Sequence, residues 1–308
     1  MTPTPQTPRI GIIGIGAMGL AMARNLHARS YPVRVRDIDP QALARAAALG
    51  LEAAASAAEL AAKADVLIVV VVDAQQIETV LFGADGVIHG ARLADPCDPR
   101  SARSTPLTVL LCSTIAAHDT ERFHTRLAAH AIDLLDAPIS GGPGRAADGS
   151  MSMMLAGADA LRVRHARLLG DLAAKLFYVG PKVGDAARTK LVNNLLAGVN
   201  LVAAAEALAL GAQLGLDRHA LSEVINASSG ASWIGHDRMA RALVDDFVPR
   251  ARAVILTKDV TLAVAMADAA GIDTPLADVA LGVFNATVAA GFGEQDDAAV
   301  IKTLWPGF

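Results

Sequence analysis

Lys190 and Asn194 are the residues whose types and spacing point most directly to chemistry. Side chains four positions apart on a helix lie on one face, so both can reach the same oxygen atom of a bound molecule. An ammonium group can donate or withdraw a proton there while an amide orients the oxygen, as general acid–base catalysis requires. Partial burial suits a lysine to this task, because burial lowers a lysine pKa toward neutral pH. The alternative is a solvent-exposed helix lysine, as most lysines are.

A glycine turn could hold the acidic end of the same molecule. The residues from Asp136 to Gly142 read Asp-Ala-Pro-Ile-Ser-Gly-Gly, which predicts a strand that ends in a turn. Gly141 and Gly142 allow backbone conformations that other residues resist, so their N–H groups can approach a small anion closely. The Ser140 hydroxyl adds another donor. The turn therefore predicts a carboxylate site, with an ordinary turn as the alternative.

A second glycine-rich turn follows an apolar strand and opens a helix, and its residues are Gly14, Ile15, Gly16, Ala17, Met18 and Gly19. The first glycine allows the tight turn, the second lets a pyrophosphate approach, and the third lets the helix pack on the strand. The helix N-terminus at Ala17 and Met18 supplies partial positive charge. This spacing in this context predicts a dinucleotide-binding site.

Asp37 indicates which dinucleotide is bound. It ends the next strand, about twenty residues after the glycine motif, where an acidic residue accepts hydrogen bonds from the adenosine ribose. Its charge would also repel a 2′-phosphate, so NAD is predicted in preference to NADP. Arg34 and Arg36 leave NADP possible, because either could turn toward a phosphate.

The elements that must position these residues form an α/β fold. Short apolar strands alternate with alanine-rich helices up to about Gly180, which predicts a doubly wound parallel Rossmann sheet. The predicted strands are Ile10–Ile13, Val33–Arg36, Val66–Val72, Thr108–Leu111, Leu134–Ala137 and Met151–Ala156. Helical periodicity then dominates, so we predict a dinucleotide-binding domain over 1–180 and an all-helical substrate and oligomerisation domain over 181–308. A long helix from Asp185 to Leu214 should join them and line the cleft.

Composition excludes several other classes of protein. The net charge of −4 over 308 residues gives no basic surface for nucleic acid. Polar residues interrupt the longest apolar helix, so no membrane span is predicted, and the N-terminal residues do not resemble a secretion signal. Two cysteines, Cys97 and Cys112, form no disulfide framework, and the histidines lack metal-ligand spacing, so we expect a cytoplasmic protein without a metal. The segment from His89 to Pro106 is interpreted as a tolerated insertion, with a partner-binding loop as the alternative.

Together the motifs resemble the β-hydroxyacid dehydrogenase family, which includes 3-hydroxyisobutyrate dehydrogenase, tartronate semialdehyde reductase and L-threonate dehydrogenase. The family's substrate-carboxylate motif is Asp-x-Pro-x-Ser-Gly-Gly-x-x-x-Ala-x-x-Gly, and the chain matches it from Asp136 to Gly149. The family's Gly-x-x-x-x-x-Lys-x-x-x-Asn is matched from Gly184 to Asn194. The resemblance implies that Lys190 exchanges the hydroxyl proton with a small β-hydroxy acid while hydride passes to or from NAD.

The resemblance also implies further contacts. Val71 and Val72 stand where relatives usually have Leu-Pro, and Thr114 is expected near the nicotinamide ribose, with a cap on the following turn as its alternative role. Lys258 matches a Lys-Asp step expected to reach the cofactor or substrate, with a surface salt bridge as the alternative. Trp233 could close the substrate pocket or belong to the core.

The resemblance leaves several alternatives open. The substrate could be 3-hydroxyisobutyrate or a sugar acid such as threonate or tartronate semialdehyde/glycerate. A 6-phosphogluconate dehydrogenase is disfavoured by length, and an imine reductase by the presence of Lys190. A non-catalytic dinucleotide-binding module that recruits partners is disfavoured because Lys190, Asn194 and Ser140 occur together. Helices over Ala203–Gln213 and Val260–Ala270 look apolar on more than one face, which predicts a homodimer or homotetramer.

Overall fold

The structure is a computed structural model that describes residues 7–91, 105–305 and 308. It divides into two compact units, the first ending at Lys190 and the second beginning at Leu191. Most of the predicted insertion from His89 to Pro106, including Cys97, lies outside the described residues.

Among the described residues, the first unit is built on a nine-stranded sheet. Its strands are β1 (Ile10–Ile13), β2 (Val33–Arg36), β3 (Glu52–Ala53), β4 (Val66–Val69), β5 (Thr108–Leu111), β6 (Asp133–Asp136), β7 (Ile139–Ser140), β8 (Met151–Ala156) and β9 (Ala173–Gly180). Strands β3-β2-β1-β4-β5-β6 are parallel in that order, which is the Rossmann order, and β8 joins β6 antiparallel. The predicted fold class is confirmed.

Some strand ends differ from the prediction. Strand β4 ends at Val69 rather than Val72, because the Val71 N–H donates to the Ser113 hydroxyl instead of continuing the ladder. Strand β6 runs from Asp133 to Asp136, one residue earlier than predicted. The short strands β3 and β7 carry too few residues for a periodic pattern, and the middle of β9 is exposed rather than alternately buried.

Side chains of the parallel strands fill a core on each face of the sheet. Ile10 and Ile12 of β1 pack in one cluster, and Ile13 packs in the other. Residues buried on both faces explain why these strands are continuous apolar sequences rather than alternating ones. The helices that cover the sheet are α1 (Ala17–Ala28), α2 (Pro40–Ala48), α3 (Ala57–Lys63), α4 (Ala74–Phe82), α5 (Val87–Gly90), α6 (Ala117–Ala128), α7 (Gly142–Asp148), α8 (Asp159–Arg164) and α9 (Ala166–Leu172).

Helix α10 spans Asp185–Gln213 and continues from the first unit into the second, so its predicted extent is correct to within one residue. The second unit continues with α11 (Arg218–Asn226), α12 (Trp233–Ala242), α13 (Ala253–Ala269), α14 (Pro275–Thr287) and α15 (Val300–Leu304). Its core includes Leu201, Val260 and Phe284. The all-helical character of this part of the chain is thus as predicted.

Two helical stretches of the described residues, α10 and Pro275–Phe292, are long and apolar enough to cross a membrane by length and composition alone. Core helices of soluble proteins meet the same criterion. Helix α10 also carries Asn193, Asn194 and Asn200 within its apolar stretch, and such amides are costly to place in hydrocarbon. The apolar windows of the two stretches are 33% and 22% buried, and one or two such helices are weak evidence for a membrane span.

Candidate active site

The glycine turn between β1 and α1 has the geometry that a dinucleotide needs. Gly14 has a φ of 85°, which favours glycine. A Cβ at Gly16 would meet no atom within 4 Å, so the backbone there is open to a ligand. A Cβ at Gly19 would lie 1.9 Å from the Gly14 carbonyl oxygen, so this glycine lets the helix pack on the turn. No side chain caps α1 at Gly16. The residues present therefore fit a pyrophosphate.

Asp37 follows β2 and contacts the same turn. One carboxylate oxygen accepts the Ile15 N–H at 2.7 Å, and the other accepts the Asp39 N–H at 2.9 Å. Arg34 points to other partners, because its guanidinium contacts the Glu52 carboxylate at 2.5 Å. Arg36 stays close to Asp37 and donates to its carbonyl oxygen. Of the two arginines considered for a 2′-phosphate, only Arg36 lies beside the acidic residue.

The loops after β4 and β5 are joined by a serine that sequence analysis did not single out. The Ser113 hydroxyl, 6% exposed, accepts the Val71 N–H at 2.9 Å. The Val72 N–H donates to the Gln76 side chain at 3.0 Å. These bonds hold the loop although it lacks the family's proline. The N-cap position of α6 is Ala116, two residues after Thr114.

The turn at Ser140, Gly141 and Gly142 has the backbone that sequence analysis predicted. Gly141 and Gly142 have φ values of 131° and 74°. A Cβ at Gly142 would meet no atom within 4 Å, whereas one at Gly141 would lie 3.0 Å from Arg145 Cδ. Ser140 ends β7, and its carbonyl oxygen accepts the Ser152 hydroxyl at 3.3 Å. The turn thus leaves room at Gly142 for a small anion.

Asp136 has a role that the sequence motif did not reveal. This residue at the end of β6 is 1% exposed. Its carboxylate oxygen Oδ2 accepts the Gly184 N–H at 2.9 Å and the Ala187 N–H at 3.1 Å, at the start of α10. Burial raises the pKa of Asp136 to about 6, and the backbone donors at the helix start oppose that increase. Asp136 therefore attaches α10 to the sheet.

Lys190 and Asn194 are both buried, at 7% and 8% exposure, one turn apart on α10. The Asn194 amide nitrogen donates to an Asp259 oxygen at 2.7 Å, and its oxygen accepts from Asn193 at 3.1 Å. Burial excludes the alternative of a solvent-exposed lysine. Asp259 was missed as a partner of Asn194, because the two residues are 65 positions apart.

The remaining predicted residues differ in placement. Lys258 forms an ion pair with Asp259 at 2.7 Å, with its side chain 24% exposed. Trp233 is 52% exposed at the start of α12, so its alternative placement in the core is wrong. Cys112 is a buried thiol whose pKa is raised by burial. In the described part of the chain, no group of histidine, cysteine and acidic residues could hold a metal ion.

Three features define a class of protein, the dinucleotide-binding dehydrogenases. They are the Rossmann sheet, the open glycine turn before α1 and the buried Lys190 on α10. Two family models match the chain. One, described as the NAD binding domain of 6-phosphogluconate dehydrogenase, matches residues 9–180. The other, described as NAD-binding of NADP-dependent 3-hydroxyisobutyrate dehydrogenase, matches residues 184–304.

Relatives match nearly the whole chain. L-threonate dehydrogenase of Cupriavidus necator is 37% identical over 97% of this chain and 96% of its own length. 3-Hydroxyisobutyrate dehydrogenase of Pseudomonas aeruginosa is 32% identical over 97% of this chain and 98% of its own length. The crystal structure of 3-hydroxyisobutyrate dehydrogenase from Salmonella typhimurium has a TM-score of 0.85 and 36% identity, covering 96% of this chain and 99% of that chain. Imine reductase from Myxococcus stipitatus, at 20% identity and a TM-score of 0.65, shares the fold.

The chain belongs to the β-hydroxyacid dehydrogenase family. It is an NAD(P)-dependent oxidoreductase that acts on the CH–OH group of a small hydroxy acid. The resemblance inferred from the glycine and lysine motifs is thereby confirmed.

Proposed function

We propose that the chain oxidises a four-carbon sugar acid of the threonate type with NAD, using Lys190 as the group that accepts the hydroxyl proton. The observation that carries the proposal is a lysine only 7% exposed, one helical turn from a buried asparagine. Relatives named L-threonate dehydrogenase, at 31–37% identity, support the threonate type. A structure titled 3-hydroxyisobutyrate dehydrogenase is 36% identical, so 3-hydroxyisobutyrate is the second candidate substrate.

The roles of the chain's own residues follow from their chemistry. The Ser140 hydroxyl and the backbone at Gly141 and Gly142 bind the substrate carboxylate and so fix its orientation. Neutral Lys190 accepts the hydroxyl proton at Nζ as the C–H bond breaks, and returns a proton to the oxygen in the reverse direction. Asn194 carries two N–H groups and gives one to Asp259, so the other can orient the hydroxyl oxygen.

The glycine turn would hold the cofactor pyrophosphate at Gly14, Gly16 and Gly19, and Asp37 would hold the adenosine ribose. Bound NAD⁺ supplies the hydride acceptor. We keep Val71, Val72, Thr114 and Lys258 as predicted cofactor contacts and Trp233 as a predicted substrate contact. We also propose a domain boundary at residue 180. The chain divides into its two compact units slightly later, after Lys190.

NAD is the proposed cofactor because the Asp37 carboxylate lies at the glycine turn, where it would repel a 2′-phosphate. The ratio of kcat/KM for NAD to that for NADP should exceed one, and Asp37→Ala should lower it at least ~10-fold, an effect of about 1.4 kcal/mol. Glu52→Ala is a control, because it releases Arg34 without touching Asp37. A wild-type preference for NADP would show that Asp37 does not select the cofactor.

We also propose a cytoplasmic homodimer or homotetramer. Apolar side chains on α10 are solvent-exposed in the single chain, with Val192, Leu196 and Leu210 each more than half exposed. Such side chains are commonly covered by a second subunit. Light scattering should report a dimer or tetramer, and a monomer at working concentration would contradict this. Cell fractionation that places the protein with membranes would contradict the location.

The activity is tested with a panel of hydroxy acids. L-threonate, 3-hydroxyisobutyrate and L-serine are each mixed with enzyme and NAD or NADP, and the reduced cofactor is followed by its absorbance. The proposal expects the largest kcat/KM with L-threonate and NAD. Larger values for 3-hydroxyisobutyrate would correct the substrate class. No reduction of either cofactor with any acid would refute the proposed function.

A further inference from the structure

The start of α10 is held by a residue from the sheet rather than by a local cap. Helix N-termini usually bind their first N–H groups through a serine, threonine or aspartate side chain just before the helix. Here that position is Gly184, which has no side chain and has a φ of 99°. Asp136 replaces the cap from 48 residues away, because one carboxylate oxygen accepts both the Gly184 and the Ala187 N–H groups.

Asp136 is itself fixed on both sides by the sheet. It pairs with Leu111 of β5 and with Ala156 of β8. The chain then runs directly into the turn at Ser140, so a single residue connects the sheet, the glycine turn and the helix that carries Lys190. Ala187, whose N–H Asp136 accepts, lies one turn before Lys190 on the same face of α10.

We propose that Asp136 is a positioning residue, whose carboxylate fixes the first turn of α10 and thereby sets where Lys190 lies relative to the turn at Ser140–Gly142. This proposal rests on the function proposed for Lys190. Displacing a reacting group by about 1 Å can lower a rate ~10²-fold, so a loosened helix start should reduce turnover without changing cofactor binding.

The ionised form of Asp136 is the form that holds the helix, because a charged acceptor binds N–H groups more strongly than a neutral one. Asp185 acts on Asp136 electrostatically, and Asp136 in turn acts on the Cys112 thiol. Asp185, in the first turn of α10, helps to raise the pKa of Asp136. The Cys112 thiol, after β5, is buried and has its own pKa raised by burial and by Asp136. With a pKa of about 6, Asp136 is ionised at pH 7 and mostly protonated at pH 5.

The test combines amide hydrogen exchange with kinetics on the full chain. Asp136→Asn keeps the shape and one acceptor but cannot ionise. Asp133→Asn, at the start of the same strand, removes a partly exposed ion pair with Arg164 and is the matched control. We expect Asp136→Asn to increase exchange of the amides of residues 184–190 at least ~10-fold and to lower kcat at least ~10-fold, with the Kd for NADH within about twofold of wild type. The Asp133→Asn variant should behave as wild type.

A pH series on the wild type tests the same idea without any variant. The backbone donors of α10 lower the pKa of Asp136, so releasing them while Asp136 stays buried in the sheet raises that pKa above about 6. This local opening therefore takes up a proton, and after correction for intrinsic rates, exchange at the start of α10 should increase as the pH falls from 7 to 5, by up to about tenfold. The Asp136→Asn variant should lose this pH dependence. A residue with a purely structural role would not make exchange at the start of α10 depend on pH. If Asp136→Asn fails to fold, the wild-type series alone decides.

Two results would overturn the proposal. One is exchange at 184–190 that does not respond to pH in the wild type. The other is a folded Asp136→Asn variant with wild-type exchange and kcat. Failure of the proposed function would look different. The wild-type chain would be inactive toward every hydroxy acid, whereas exchange at residues 184–190 would still respond to pH and to Asp136→Asn.

Discussion

A methyl group added at each of two glycines in the first turn should separate cofactor binding from folding. At Gly16 the new Cβ would meet no atom within 4 Å, whereas at Gly19 it would lie 1.9 Å from the Gly14 carbonyl oxygen. Gly16→Ala should therefore fold normally and place a methyl group where the pyrophosphate approaches the backbone. Gly19→Ala should instead force α1 away from the turn.

The expected magnitudes follow from these contacts. Overpacking against rigid backbone costs about 3 kcal/mol, and alanine recovers up to about 1 kcal/mol over glycine inside a helix. The net loss for Gly19→Ala is then about 2 kcal/mol, which lowers the Tm by roughly 4–8 °C for a unit of this size. Gly16→Ala should keep its Tm within about 1–2 °C of wild type and bind NADH at least ~10-fold more weakly, an effect of about 1.4 kcal/mol.

Calorimetry measures the Tm of each variant, and titration of NADH fluorescence measures its Kd. The two variants are matched controls for each other, because both add one methyl group to the same turn. Wild-type NADH affinity in Gly16→Ala would refute the assignment of this turn to the pyrophosphate. An unchanged Tm in Gly19→Ala would show that the close approach of α1 to the Gly14 carbonyl does not contribute to stability.

Two further predictions concern stability. Burial lowers the pKa of His165 from 6.5 to about 4. The folded protein favours the neutral ring, so its free energy of unfolding is highest above pH 6.5 and falls by up to about 3 kcal/mol as the pH approaches 4. Urea unfolding of His165→Gln should lack this pH dependence. Arg238 is buried against Asp297 at 2.5 Å, so Arg238→Met should cost about 3 kcal/mol or more by leaving a buried carboxylate unpaired. Arg252→Met removes only an exposed pair with Glu294 and should cost less than about 1 kcal/mol. A His165→Gln variant with wild-type pH dependence, or equal losses for the two arginine variants, would contradict these explanations.

Local backbone chemistry made the glycine turns predictable from the sequence. Positive φ angles and close approaches restrict positions such as Gly14, Gly19 and Gly141 to glycine, so the residue types themselves reveal the geometry. The parallel, doubly wound character of the sheet followed from the alternation of strands and helices. The extent of α10 followed from helical periodicity between two breaks.

Contacts between distant residues were not predictable in this way. The bond from Asn194 to Asp259 joins positions 65 residues apart, and that from Val71 to Ser113 joins positions 42 residues apart. Asp136 stood in a recognised motif, yet its contact with the start of α10 depends on how the sheet and helix pack. No periodicity or spacing encodes such pairs, since each depends on tertiary structure.

The central claim is that Lys190 exchanges the hydroxyl proton of the substrate. The most direct test is the kcat of Lys190→Arg, because arginine keeps the positive charge but cannot give up its proton at neutral pH. Lys182→Ala, which changes a surface lysine before the same helix, is the control. We predict a kcat at least ~10²-fold below wild type for Lys190→Arg, with NADH affinity nearly unchanged. A Lys190→Arg enzyme that turns over like the wild type would contradict the claim.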